Sequence, residues 1–159
     1  MNLADASVQG GVSLVGATLS GNLSMDGARI GADLTMVDAE YQAVELERAH
    51  IAGVFNLRGS KVGGQLDCYA SEIGSRFELN GAEFAGPFIC SFAQIGELDL
   101  AGGTFRDNVD LTGTQIKSEL QIASVGKAST QWGGYVEVES AQCNGRRDPR
   151  FARCLAPSD

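Results

Sequence analysis

Proline is scarce, three in 159 residues, so the chain is neither collagen-like nor a proline-rich linker. A single histidine, His50, leaves no histidine cluster for zinc and no Ser–His or Cys–His pairing. No apolar run approaches the ~20 residues of a membrane span. The N-terminal stretch lacks a basic segment followed by an apolar one, so no secretory leader is read and a cytoplasmic setting is favoured. Basic residues are few as well. Twelve Lys and Arg face 20 Asp and Glu, for a net charge of −8, which argues against phosphate-backbone binding, so no nucleic-acid partner is expected. What is present is enough apolar residue, 43 %, to build the core of one small domain.

Glycine is the excess: 21 of 159 residues, against a usual ~7 %. A repeat of about 11 residues gives it a place. Units begin at Met1, Val12, Leu23, Leu34, Val44, Phe55, Leu66, Phe77, Phe88, Leu98, Val109 and Leu120, and those at Leu34 and Phe88 are one residue short. Position 1 is large and apolar. Position 3 is apolar (Leu3, Leu14, Met25, Met36 and onward, with Cys68 and Cys90 among them). Position 6 is small (Ala6, Ala17, Ala28, Ala39, Ala49, Ser60, Ser71) and position 8 is large (Val8, Leu19, Ile30, Tyr41, Ile51). Glycine recurs at positions 5, 9 and 10.

Positions two apart share one side of an extended segment. Each unit therefore predicts two very short strands, each with two inward side chains, joined by glycine-rich corners. Offsets 1, 3, 6 and 8 make no single helical face, and repeated glycine opposes a helix by ~1 kcal/mol each. Alternate units differ at position 8. Odd units give Val8, Ile30, Ile51, Ile73, Ile95 and Ile116, all β-branched; even units give the mixed set Leu19, Tyr41, Val62, Phe84 and Phe105. The alternation predicts an all-β parallel β-helix of four sides, about 22 residues per coil, with Phe55 over Phe77 and Phe84 over Phe105. A three-sided coil is the alternative.

The pairs Ala17-x-Leu19, Ala28-x-Ile30, Ala49-x-Ile51, Ala82-x-Phe84 and Ala93-x-Ile95 resemble the small–large pairs of pentapeptide-repeat proteins. The likeness extends to about residue 122. It departs where a large residue replaces the small one, as in Leu23-x-Met25 and Leu66-x-Cys68, and in the extra residue per half-coil. The resemblance implies a right-handed quadrilateral β-helix. It also implies one functional option, an acidic DNA mimic that binds DNA gyrase.

The repeat predicts a solenoid domain over 1–126 and a capping segment with a basic tail over 127–159. The pattern is read as stopping after Ile122, with a loop from Lys127 to Thr130 and one turn and strand around Trp132, Tyr135, Val136 and Val138. Those four residues are the candidates for an end cap or a homodimer contact. The repeat is in frame from Met1, which predicts either a piece of a longer repeat protein or an end that packs on a partner, a second copy being the economical one. Residues 1–126 carry a net charge of −9 and 127–159 a net charge of +1. Glu45, Asp67, Glu97, Asp110 and Glu119 are assigned to one flank or its corner, and Asp33, Glu78 and Asp99 mainly to the opposite side. Glu45, Asp67, Glu97, Asp99, Asp110 and Glu119 are the candidate partner-binding residues.

No catalytic, metal-binding or cofactor-binding residue is read from the sequence. His50 reads as a solvated side chain, and Cys68 and Cys90 as reduced core fillers. Cys143 and Cys154 are a candidate disulfide in an oxidising compartment. Gly126-Lys127-Ala128 lacks the flanking residues of a phosphate loop. The expected function is a non-enzymatic interaction or scaffold module with a protein partner, self-associating through a rod end. The alternatives are the DNA mimic and a carbohydrate-binding or carbohydrate-acting β-helix, whose carboxylates on adjacent coils would be spaced for a glycosidase pair.

Overall fold

A computed structural model describes residues 1–122 and 129–147. Every element in those residues is a β-strand, most of only two residues, and every pairing is parallel. Four strand columns stack into a β-solenoid, so the four-sided reading holds over the three-sided one. Face A carries Val8, Ile30, Ile51, Ile73, Ile95, Ile116 and Cys143 in register. Face B follows with Val12, Leu34, Phe55, Phe77, Leu98 and Leu120. Face C stacks Leu19, Tyr41, Val62, Phe84, Phe105 and Trp132. Face D stacks Leu23, Val44, Leu66, Phe88, Val109 and Val136. Strands Glu72–Glu78, Gln94–Asp99 and Gln115–Gln121 run round the corner from face A to face B and join them into one sheet.

The corners follow from the repeat. In each regular unit the backbone N–H of position 6 donates to the carbonyl of position 3, as from Ala28 to Met25 at 3.0 Å and from Ala82 to Leu79 at 3.1 Å. Position 5 within that turn has positive φ, the type II arrangement that favours glycine. Gly59 and Gly81 satisfy it at φ +67° and +66°. Asp38, Arg48, Ala70 and Phe92 adopt the same conformation at 51°, 54°, 52° and 58°, against the steric preference of L-residues. The other corners need glycine for a different reason. A Cβ on Gly86 would lie 2.6 Å from the carbonyl group of Gly64 one coil below, so adjacent coils approach backbone to backbone there.

Inward columns are sealed. Leu34, Phe55, Phe77, Phe84 and Phe88 are fully buried, and Ile30, Ile51 and Ile73 nearly so. Phe55 stacks on Phe77 with ring centroids 4.6 Å apart, and Phe84 on Phe105 at 5.0 Å, each pair contributing about 0.5–1.5 kcal/mol beyond its buried area. Trp132 extends the second stack, 5.0 Å from Phe105. Polar atoms that enter the core at position 6 are satisfied locally. Ser71 Oγ donates to the Cys68 carbonyl at 2.8 Å and Thr114 Oγ1 to the Cys90 carbonyl at 2.7 Å. Cys68 and Cys90 are buried thiols in the position 3 column, and burial pushes the Cys68 thiol well up.

The pattern does not stop at Ile122, which corrects the sequence reading. Gln131–Trp132 pairs with Thr104–Phe105, Val136–Glu137 with Val109–Asp110, Gln142–Cys143 with Gln115–Ile116, and Arg146–Arg147 with Glu119–Leu120. The stretch expected to give one turn and strand therefore supplies a strand to each face. Val136, Val138, Ala141 and Cys143 occupy positions 1, 3, 6 and 8 of a further unit. Five extra residues between Ile122 and Trp132, relative to Leu100 and Phe105, hide it from a frame-by-frame reading. Cys154 and most of the basic tail lie outside the described residues.

Candidate functional site

Outward residues fall into columns just as inward ones do. Position 2 of the odd units stacks Ser24, Glu45, Asp67, Ile89, Asp110 and Glu137 along face D. Glu97 and Glu119 pair with each other in the corner between faces A and B, and Asp99 stacks on Glu78 along face B. The six candidate acids thus separate. Glu45, Asp67 and Asp110 form one ladder, while Glu97, Glu119 and Asp99 lie around another edge. The one flank or corner expected to hold Glu97 and Glu119 with Glu45 is corrected by this register, because each of the two directly precedes a face B residue, Leu98 or Leu120, and so lies between faces A and B.

Three of the acids have a structural duty. Asp67 Oδ1 accepts the backbone N–H of Tyr69 at 2.9 Å, Asp99 Oδ1 that of Ala101 at 3.0 Å, and Asp110 Oδ1 that of Thr112 at 2.8 Å. Asn56 and Asn2 make the same bond to Arg58 and Ala4. Each is an Asx turn that steers the chain into the positive-φ corner.

The acids also differ in compensation. Arg76 bridges Glu97 at 2.7 Å and Glu78 at 3.3 Å, and these hydrogen bonds hold its guanidinium above its ordinary range. Lys61 faces Glu40 at 3.8 Å, and Arg106 faces Glu83 at 3.5 Å on face C. His50 Nδ1 lies 3.1 Å from Glu72 on face A. Along face D and its corner, among the described residues, only Glu47 has a basic partner, Arg48; Asp26, Glu45, Asp67 and Asp110 have none. Burial pushes the Asp67 carboxyl up, against the lowering pull of the Tyr69 N–H, and Asp26 and Glu45 push it further.

Beside this ladder lies a feature that composition and spacing did not reveal. Tyr69 and Phe92 meet edge to face on the corner between faces D and A, ring centroids 5.9 Å apart. They are 41 % and 57 % exposed. They are separated by 23 residues, one coil plus one position, so coil stacking alone brings them together. Half-buried Ile89 points outward next to them on face D. The signal available was an aromatic at positions 4 and 5 of successive odd units.

The corner between faces B and C carries a groove of about 490 Å³, lined by Val37, Asp38, Arg58, Asn80 and Ala101 among others. Asn80 Nδ2 is buried there without a hydrogen-bond partner. Among the described residues no three His, Cys, Asp or Glu side chains gather closely enough to hold a metal, and no helix is long and apolar enough to cross a membrane. Trp132, Val136 and Val138, three of the four candidate end-cap residues, are half-buried against the core; Tyr135 is 61 % exposed. No family model matches the chain, and no curated protein matches it.

Proposed function

We propose that this solenoid is a non-enzymatic protein-interaction module that associates with a second copy through its N-terminal rung. One observation supports this reading. Leu3, Val12, Leu14, Ala17 and Leu19 point inward yet are only half-buried, whereas their counterparts one coil on, Met25, Leu34, Met36, Ala39 and Tyr41, are at most 3 % exposed. Strands Ser7–Val8, Val12–Ser13 and Thr18–Leu19 also pair on one side only, leaving open β-edges beside that apolar surface. A second copy would bury both, as would a further coil of the same rod, and light scattering separates the two. Light scattering across a concentration series tests the reading. A dimer that dissociates on Leu14→Glu supports it, and a monomer at every concentration refutes it.

A second reading, the acidic DNA mimic, is favoured by the uncompensated acids of the face D ladder, Glu45, Asp67 and Asp110, with Asp26 at the adjoining corner. The ion pairs on faces B and C weigh against it, because they break the negative surface into one stripe. A gyrase supercoiling assay separates the two: inhibition that fades with salt and is lost on Glu45→Lys supports mimicry.

A further inference from the structure

We propose that the corner between faces D and A is a docking surface for an arginine-bearing segment of a partner protein. The inference rests on the interaction-module reading and names the chemistry of the partner.

The corner combines two properties found together nowhere else among the described residues. The first is an exposed aromatic pair. Tyr69 and Phe92 offer ring faces and edges to solvent, and Ile89 widens the apolar ground beside them. The Phe92 side chain reaches across the next coil: a Cβ on Gly113 would meet its ring at 2.7 Å. Glycine in that place gives the ring its bed. Phe92 moreover holds φ +58°, a region that bulky side chains avoid. Glycine serves the same turn position in the coils at Gly27 and Gly113, so an aromatic is kept where the backbone asks for none.

The second property is unmet negative charge. Asp26, Glu45, Asp67 and Asp110 flank the rings from below and above, and no lysine or arginine among the described residues pairs with them. Burial disfavours the charge of Asp67, and Asp26 and Glu45 add to that effect. A guanidinium laid on the exposed rings would bring its positive charge to the corner that these carboxylates border, and so answer both features at once. Arginine suits better than lysine, since its plane stacks on a ring while its edge donates to a carboxylate. A neutral sugar would use the rings and leave the ladder uncompensated.

The test is fluorescence anisotropy with a labelled octa-arginine peptide and the whole chain. Wild type is expected to bind it, and Phe92→Gly to bind about two- to fivefold more weakly, the measure of one exposed cation–π contact. Phe92→Gly keeps the turn, because glycine accepts its φ, and circular dichroism checks that the coil remains. Glu45→Gln with Asp67→Asn is expected to weaken binding further and to flatten its salt dependence. Failure of the peptide to bind overturns the proposal. So does equal binding by wild type and Phe92→Gly, which marks plain polyanion attraction. Displacement of the peptide by neutral maltohexaose also overturns it, in favour of a sugar. The variants leave Leu3 and Leu14 untouched, so light scattering on the same samples shows separately whether the end-on association stands.

Discussion

The solenoid makes the same positive-φ turn at two of its four corners and furnishes them differently. Between faces B and C the turn residues are Gly16, Asp38, Gly59, Gly81 and Gly102. Apart from Asp38 that edge carries no side chain at the turn position, and it forms the groove. Between faces D and A, Arg48, Ala70 and Phe92 stand in consecutive coils, and the edge bears the exposed aromatic pair. Backbone geometry is shared, so the backbone does not explain the difference. The glycine corner shows what the fold needs, and the side chains of the other corner are accepted at a cost of about 1–2 kcal/mol each in left-handed conformation.

The largest test of this comparison removes what the corners share. Ile73→Asp on face A and Phe84→Asp on face C each place a carboxylate between stacked coils, at positions that are 1 % and 0 % exposed. Both should abolish the cooperative thermal transition seen by circular dichroism. Tolerance of either would mean that its corner does not rest on the common core.

Smaller effects separate the two edges. Asp99→Ala, which removes the Asx turn leading into the glycine corner, should lower stability by about 1 kcal/mol in urea titrations. Asp67→Ala should cost less, because relief of a crowded, buried charge offsets the lost bond. Asp67→Asn, which can keep its oxygen on the Tyr69 N–H, should raise stability at neutral pH. The sign follows from the raised carboxyl. The folded state takes up this proton more readily than the unfolded chain, so the stability associated with protonated Asp67 is present at low pH and is lost as pH rises through the folded pKa. The advantage of Asp67→Asn should therefore vanish in acid, and an advantage independent of pH would point to another cause.

Single turn residues come next. Gly81 has φ +66°, and a Cβ added there would meet nothing within 4 Å, so Gly81→Ala isolates the conformational penalty at about 1 kcal/mol. Ala70→Gly at φ 52° should move the other way, raising stability by about 0.5–1 kcal/mol. The smallest change is expected at Phe92→Gly, within about 0.5 kcal/mol by thermal melting, since lost ring contacts oppose the relief of φ. A large loss there would make the ring structural.

The inward columns were legible because burial restricts residue type at every rung, and the Val and Ile of face A against the mixed set of face C were enough to separate the faces. The turn position was legible only where glycine fills it. Arg48 and Phe92 carry no mark of their conformation, because their backbone is held by the neighbouring coils rather than by their own preference. Asp67, Asp99 and Asp110 were read as surface charge. Their duty as Asx turns lies in a bond to the residue two along, which composition conceals. The aromatic pair was illegible for a related reason: Tyr69 and Phe92 become neighbours only once the coil length between them is known. The unit from Val136 to Cys143 keeps the repeat intact, but five extra residues put it out of frame.

The two one-residue deletions also describe the molecule. From position 3 to position 8 the chain spends five residues in every unit through Ile116, whatever the occupants. From position 8 to the next position 1 it spends four, or three where Tyr41 leads to Val44 and Ile95 to Leu98. Through Ile116 the first kind of joint keeps one length, with its single insertion, of five residues, before Trp132, while the second takes up slack one residue at a time. A coding sequence that gains or loses a codon at the slack joint leaves every inward column in place, so such a rod can drift in length and surface while its interior keeps count.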